Sequence, residues 1–234
     1  MWAGKWRRRV AVFVVLAIGW GIGMHQAWIS MPSIWLSLAD VDLDQPPGRF
    51  ARISLNVMAN DRGACFAALD ASSLGYARVA DRFVIDGCGL TDGVRYEQSH
   101  QTYSAAFEAS CSMAAAIYWY ETELDRPARE HLSSGLARIN HLGPYACRNI
   151  NNAETGMRSQ HATANAIDIA GFVLDDGREV SVLRDWAGQS DAALFLDAAH
   201  QSACHLFNTV LGPDYNSLHA DHFHLDMGRD RACR

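Results

Sequence analysis

The sequence predicts an α+β fold in which an antiparallel sheet is flanked by helices. Two segments, residues 104–125 and 190–207, carry apolar residues at the spacing of amphipathic helices. Shorter runs alternate in period two or surround an Asp-Gly pair, which is typical of strands joined by hairpins. With 234 residues, of which 49% are apolar, the chain is long enough for one well-packed domain with an appended lobe.

The N-terminus has the pattern of a membrane anchor. Four basic residues lie within the first nine positions, and an uncharged apolar run follows from Val10 to Met24. Extended to Ile29, it has about the 20 residues that a helix needs to cross a bilayer. Because no clean small-x-small cleavage site follows, we expect residues 1–31 to stay as a transmembrane or signal-anchor segment, with the body outside. A cleaved signal peptide is the alternative, and the basic residues argue against a buried core helix.

The next two segments show no catalytic signature. Residues 32–50, with several Asp residues and a Pro-Pro-Gly run, are predicted to be a linker. Residues 51–103 are predicted to form a small β-rich lobe or wrap. Within them, Arg52–Val57 alternates as a half-buried strand does, and Arg82–Ile85 is a second candidate strand.

Residues 104–234 contain the longer elements. Residues 104–125 predict a helix whose extent is limited by Pro127, with an apolar stripe of Phe107, Cys111, Ala114 and Tyr118. Residues 135–142 predict a strand, and residues 172–180 a hairpin with an Asp-Gly turn. Residues 190–207 predict a second helix, capped by Ser190.

Composition narrows the classes of partner. The formal net charge of −6 argues against nucleic acid. Six cysteines in an exported chain predict disulfides, although fifteen pairings are possible and the sequence does not choose among them. No Cys-x-x-Cys spacing occurs, which argues against a cysteine zinc site.

Two separated motifs supply metal-ligand side chains. Asp168 lies in the middle of the apolar run Ala166–Ala170, where an ionised carboxylate needs a partner. His161 precedes it by seven residues, and His224 follows far along the chain. Catalytic zinc usually has three protein ligands and an open position. We therefore predict that His161, Asp168 and His224 bind Zn²⁺.

The histidine cluster near the C-terminus strengthens this prediction. Three of the ten histidines, His219, His222 and His224, fall within residues 219–224. His222 and His224 are two apart, so on a strand they point to one face. Any one of them alone would be read as an ordinary hydrogen-bonded histidine, and His-x-His alone is a weak signal.

Ser-x-His-x6-Asp followed by Asp-His-x-His resembles the zinc D-alanyl-D-alanine metallopeptidases, a superfamily that includes murein endopeptidases and the hedgehog signalling domain. The segment His161–Phe172, with Tyr145–Ile150 upstream, is still more similar to the bacterial extensin-like C-terminal domain family. The resemblance covers roughly residues 104–234 and implies a zinc site on the sheet.

The resemblance also implies roles for residues around the metal. Arg148, thirteen residues before His161, would bind a substrate carboxylate or carbonyl, for which a guanidinium fork is suited; Arg158 is a competing candidate. Asp221 would be the base that accepts a proton from zinc-bound water, or it would only orient His222. His222 would stabilise the oxyanion or donate to the leaving amine, and His219 would line the cleft.

The resemblance therefore implies a zinc metallopeptidase that cleaves a D-amino-acid peptide bond of peptidoglycan, in stem peptides or cross-links. We expect it in the bacterial periplasm, either anchored in the inner membrane through the N-terminal helix or secreted. Two alternatives are a non-catalytic, zinc-stabilised wall-binding module and a disulfide-stabilised envelope protein without metal.

Overall fold

A computed structural model describes residues 12–14 and 41–234 of the chain. Residues 12–14 are helical, and the rest of the predicted anchor, residues 1–31, lies outside the described residues together with residues 32–40 of the predicted linker. Across the described ranges, no helix is long and apolar enough to cross a membrane. Residues 41–234 form one compact unit.

Helices and strands of this unit are mixed along the chain. The helices are α1 (Ala51–Asn60), α2 (Arg62–Ala71), α3 (Cys111–Leu132), α4 (Val182–Asp185) and α5 (Asp191–Leu206). The strands are β1 (Gly75–Arg78), β2 (Arg82–Ile85), β3 (Cys88–Leu90), β4 (Gly93–Gln98), β5 (Thr102–Tyr103), β6 (Phe107–Ser110), β7 (Leu136–Gly143), β8 (Ala166–Leu174), β9 (Glu179–Ser181), β10 (Thr209–Leu211), β11 (Phe223–Asp226) and β12 (Ala232–Cys233). Single turns of 3₁₀ helix occur at Ile150–Asn152, Gln160–Thr163 and Ser217–His219.

The strands form three sheets, which confirms a mixed α+β fold. The largest has seven strands in the order β12-β10-β11-β8-β7-β5, with β9 also paired to β8. A three-stranded sheet has the order β1-β4-β6, and β2 and β3 form a hairpin. The predicted antiparallel pairing holds inside the large sheet and fails at both edges, where β5 runs parallel to β7 and β12 parallel to β10.

Strand β8 is central to the large sheet. It pairs with β7 on one side and with β11 and β9 on the other, all antiparallel. Nearly all of its residues are buried, as expected for a strand covered on both faces. The predicted hairpin is confirmed, and its turn contains Gly177 with φ +85°. Because β8 is paired on both sides and largely buried, Asp168 in this strand lies inside the molecule.

Helices α3 and α5 pack against each other and contribute large buried side chains to the core. Ser190 caps α5 as predicted, since its side chain accepts a hydrogen bond from the Ala193 amide. The predicted bounds of α3 are wrong. The helix starts at Cys111, where the Ser110 side chain caps it, and it continues through Pro127 to Leu132. Phe107 lies on strand β6 instead.

The predicted strand at residues 52–57 is also wrong, because this segment belongs to helix α1. Its buried residues, Ala51, Ser54, Leu55 and Met58, follow the i, i+3, i+4, i+7 spacing of a helix. Ile53 and Val57, which would share a strand face with Leu55, are largely exposed.

Residues 41–50 differ from the expectation of a free linker. Leu43 is completely buried, and the Asp44 carboxylate accepts hydrogen bonds from Tyr118 and from Ser73. The Trp119 indole donates to the Gln45 carbonyl. This segment is therefore packed against α3.

All six cysteines are paired. The disulfides join Cys65 to Cys111, Cys88 to Cys147, and Cys204 to Cys233. The first ties α2 to the start of α3, the second ties β3 to the loop that carries Arg148, and the third ties α5 to the C-terminal strand. The prediction of disulfides is thus confirmed.

Candidate metal centre

Three separate elements bring His161, Asp168 and His224 together. Asp168 on β8 is the direct register partner of His224 on β11, and side chains of directly opposed residues lie on the same face. On the other side of Asp168 lies Gly143 of β7, which has no side chain to fill the space. His161 enters from the 3₁₀ turn Gln160–Thr163, where the Ser159 side chain accepts from its amide.

The three side chains point at one position. His161 Nε2 is 3.1 Å from Asp168 Oδ1 and 3.1 Å from His224 Nδ1, and His224 Nδ1 is 3.0 Å from Asp168 Oδ1. All three residues are buried. Ligands of a tetrahedral zinc ion, at bond lengths of about 2.0–2.1 Å, lie about 3.3 Å from one another. The triangle is thus close to the size that zinc requires.

The remaining ring nitrogens are held by acceptors. His161 Nδ1 donates to the Pro144 carbonyl at 3.1 Å, and His224 Nε2 donates to Asp226 Oδ2 at 3.0 Å. When both imidazoles are neutral, these two hydrogen bonds leave His161 Nε2 and His224 Nδ1 unprotonated. The lone pairs of these two nitrogens then point towards each other and towards the Asp168 carboxylate. Three acceptors that meet in this way repel one another unless a cation or a proton lies between them. The residues therefore fit a metal ion.

The electrostatics of the isolated side chains agree with this. Burial opposes ionisation of Asp168, but hydrogen bonds with His161 and His224 outweigh burial and hold the pKa of Asp168 well below its usual range. Burial also lowers the pKa of His224, but hydrogen bonds to Asp168 and Asp226 outweigh it and raise that pKa to about 9. The pocket thus favours positive charge between these side chains, which a proton or a metal ion can supply.

His222 lies at the edge of this triangle. Its Nε2 is 3.6 Å from Asp168 Oδ1, and its side chain is 13% exposed. Its Nδ1 is 2.8 Å from Asp221 Oδ1, whose side chain is 56% exposed. His222 therefore faces both the metal position and solvent, whereas Asp221 contacts His222 and not the triangle. This contact is the one that an orienting role for Asp221 requires.

His219 closes the buried side of the cluster. Its ring centroid is 5.3 Å from that of His222 and 5.9 Å from that of His224, and its Nδ1 is held by Asn216 Oδ1 at 2.8 Å. Burial, together with the charges of the neighbouring imidazoles, lowers its pKa to about 4. His219 is thus neutral at pH 7 and lines the pocket.

Arg148 is the arginine that reaches the cluster. Its Nη2 lies 3.8 Å from Asp168 Oδ2, and its side chain is 31% exposed. The competing Arg158 lines the same cleft as Arg148, but its guanidinium donates to the Asp86 carbonyl and to Asn149 Oδ1. Arg148, His219 and His222 all line an open cleft of about 440 Å³. A ligand in this cleft would meet the guanidinium and the imidazoles together.

A second group of metal-ligand residues, His200, Cys204 and Cys233, also lies close together. Its two sulfur atoms form a disulfide, so neither is a thiolate. His200 Nε2 is occupied by the Arg234 carbonyl at 3.1 Å. Among the residues described, this leaves the His161 triangle as the better candidate.

Sequence reasoning missed the groups that hold the ligands. Asp226 is 6% exposed and accepts from both His224 and the Gly228 amide. Its signal was present, because the period-two alternation that aligns His222 with His224 also aligns Asp226 with them. The Pro144 carbonyl is a backbone atom and leaves no such signal.

A family model described as "Extensin-like protein C-terminus" matches residues 63–234, which is more than half of the chain and includes all seven predicted site residues. No curated protein sequence and no solved structure matches the chain.

Proposed function

We propose that this chain, which belongs to the extensin-like protein C-terminus family, is a zinc-dependent hydrolase of the bacterial envelope. Its substrate would be a D-amino-acid peptide bond in peptidoglycan. The observation that carries the proposal is the triangle of His161 Nε2, Asp168 Oδ1 and His224 Nδ1, with edges of 3.0–3.1 Å, next to an accessible imidazole.

His161, Asp168 and His224 would hold the zinc ion, and Asp226 and the Pro144 carbonyl would fix the tautomers of the two imidazoles. When bound, zinc would supply a water of lowered pKa and polarise the carbonyl of the scissile bond. Two imidazoles and a carboxylate with one side open to a cleft are typical of a catalytic site, because structural zinc sites are usually closed by a fourth protein ligand.

Proton transfer would be the task of His222. Its Nε2 faces the cluster, while the Asp221 carboxylate holds its Nδ1–H, an arrangement that orients an imidazole for general acid–base work. Asp221 would then be a positioning residue, which is the second of the two roles predicted for it. As the base itself it would have to turn away from His222.

Substrate binding would fall to Arg148 and His219. A guanidinium at the cleft, 3.8 Å from a ligand carboxylate, is suited to hold a substrate carboxylate or carbonyl next to the metal. The neutral, anchored imidazole of His219 would shape the wall of the cleft. The assignment to peptidoglycan, and to a membrane-anchored or secreted periplasmic protein, depends on the resemblance of the motifs and the N-terminal pattern.

The proposal is tested with the full-length chain, purified in detergent, and isolated peptidoglycan. We expect the wild type to release muropeptides or free D-alanine, which distinguishes an endopeptidase from a carboxypeptidase. His161→Ala should lose both zinc and activity. His222→Gln should keep zinc and lose activity by about 100-fold or more, since general acid–base catalysis contributes at least that much. His131→Gln, on the last turn of α3, is the control.

The same experiment addresses the non-catalytic alternative. A wall-binding module would sediment with peptidoglycan and hold zinc, but neither the wild type nor His222→Gln would release any product. That outcome would refute hydrolysis while leaving the metal site intact.

A further inference from the structure

We propose that a basic groove next to the metal cleft binds the carboxylate-bearing part of an acidic peptide. The groove is a cavity of about 950 Å³ between helix α1, the start of α3 and the C-terminal segment 227–231. That the peptide is a stem peptide of peptidoglycan depends on the proposed function, whereas the recognition of carboxylate groups depends on the groove alone.

The groove is continuous with the metal cleft. Gln160, Gly228, Arg229 and Asp230 line both cavities. Gly228 is packed closely at this junction, because a Cβ on it would lie 2.8 Å from Gln160 Cδ and 3.0 Å from Asp226 Oδ1. Since the two cavities share these four lining residues, an extended ligand bound at the metal cleft would reach into the groove.

The groove carries uncompensated positive charge. Arg62 pairs with two carboxylates, Asp81 at 3.0 Å and Asp92 at 2.5 Å, so these three side chains together carry a net charge of −1. By contrast, Arg52, Arg229 and Arg231 have no carboxylate within 4.0 Å among the described residues, although all three line the groove. Asp230 is the remaining acidic residue of the lining. With Asp230 and the surplus carboxylate at Arg62 counted, the groove keeps a net charge of +1 in a chain whose formal net charge is −6.

Two of these guanidinium groups repel each other. Arg52 is anchored through Nη1, which donates to the Cys204 carbonyl at 2.8 Å, so it is held in place before any ligand arrives. Burial lowers the pKa of Arg52, and the charge of Arg231 lowers it further. Both guanidinium groups line one groove and have no salt-bridge partner among the described residues, so an anion that binds between them gains free energy from both charges. A carboxylate matches the fork of the guanidinium.

The lining favours a peptide over a sugar chain. Sugar rings are commonly bound by stacking on aromatic faces, and no Trp, Tyr or Phe is found among the described residues that line the groove. Charged and amide side chains make up half of the lining instead. Recognition would therefore use the charge and the hydrogen-bonding groups of the ligand.

The test measures binding without hydrolysis. The probe is a fluorescently labelled tetrapeptide of alanine, D-isoglutamate, lysine and D-alanine, with free carboxylates, and the matched probe has both carboxylates amidated. Fluorescence anisotropy with the full-length chain should show binding of the acid form at least about tenfold tighter than of the amide form. Raising the ionic strength from 0.05 M to 0.5 M should weaken the binding of the acid form, because salt screens the attraction between exposed charges.

Variants locate the site. Arg231→Gln should weaken binding of the acid probe about fivefold, and the double variant Arg52→Gln/Arg231→Gln should weaken it about tenfold or more. The control is Arg126→Gln, which replaces an exposed arginine on α3 and should leave the affinity unchanged. Arg231 is exposed, so its single variant remains informative if loss of Arg52 disturbs the fold.

Three results would overturn the proposal: equal affinity for the acid and amide probes, unchanged binding in Arg231→Gln and the double variant, or binding of a hyaluronan tetrasaccharide in place of the peptide. Loss of peptidoglycan hydrolysis alone would contradict the proposed function and leave this binding result standing.

Discussion

A substitution at Asp226 would test the proposed metal centre, because Asp226 contacts the proposed ligand His224 without being a proposed ligand itself. Its Oδ2 accepts from His224 Nε2 at 3.0 Å, and its Oδ1 accepts from the Gly228 amide at 2.8 Å. Asp226→Asn keeps the shape of the side chain. An amide has one acceptor oxygen, so either the His224 N–H or the Gly228 N–H then faces an NH₂ group.

The expected loss of zinc affinity and of stability follows from the loss of one acceptor oxygen. A buried donor left without its acceptor costs about 1–3 kcal/mol. Loss of a carboxylate behind a histidine ligand typically weakens metal affinity by about 10–100-fold, which corresponds to about 1.4–2.7 kcal/mol. We therefore expect zinc to bind about 10–100-fold more weakly to Asp226→Asn, and the metal-free variant to lose about 1–3 kcal/mol of unfolding free energy.

The assay is a competition titration with a chromophoric zinc chelator, combined with urea unfolding of the chelator-treated protein. Asp176→Asn is the matched control, because Asp176 is an exposed carboxylate that pairs with Arg178 in the turn after β8. A folded Asp226→Asn variant with zinc affinity within about twofold of the wild type would refute the assigned role of Asp226.

Three further outcomes are expected. Replacing Cys88 and Cys147 by Ser opens a loop of 59 residues, which should lower the unfolding free energy in urea by about 4 kcal/mol; a loss below about 1 kcal/mol would contradict this. Burial raises the pKa of Glu121 to about 7 from 4.5. Between those pH values the folded state therefore binds more protons than the unfolded state. The stability should fall by about 3 kcal/mol through this group as the pH rises from 4.5 to 7. In thermal melts at several pH values, the stability of Glu121→Gln should not show this fall. If the stability of the variant depends on pH in the same way as that of the wild type, the prediction is wrong. In peptidoglycan hydrolysis, His222→Gln should reduce kcat more than Asp221→Asn does, by about tenfold or more; the reverse order would make Asp221 the base.

Periodicity predicted the elements whose pattern is unambiguous over their length. Strand β7, the hairpin after β8 and helix α5 with its Ser190 cap all occur where apolar spacing, turn residues and capping residues agree. Strand β11 carries His224 as expected. In these places local sequence and tertiary packing favour the same structure.

The wrong secondary-structure predictions occur where one local pattern was considered without the residues around it. Over residues 52–57 the alternation of Ile53, Leu55 and Val57 fits a strand, yet the wider spacing that includes Met58 fits the helix that forms. Pro127 was expected to end α3, but the helix continues beyond it because tertiary packing outweighs one lost hydrogen bond. Parallel pairing of edge strands such as β12 depends on contacts that no local pattern records.

The candidate site was more accessible to prediction than the fold. Ligand chemistry alone selected His161, Asp168 and His224, since an aspartate inside an apolar strand requires a partner. Their convergence depends on the register of β8 with β11, which brings Asp168 opposite His224. The basic groove could not be anticipated, because Arg52 and Arg231 are distant in sequence and line the same cavity only through tertiary packing.

The zinc content of the purified full-length chain tests the central claim most directly. It is measured by plasma mass spectrometry for the wild type, His161→Ala, His224→Ala and the control His131→Ala, all prepared without chelator. We expect about one zinc per chain in the wild type and the control, and none in the other two variants, since each removes one of three converging ligands. A wild type that holds no metal, with variants that fold equally well, would contradict the metal centre and the hydrolase built on it.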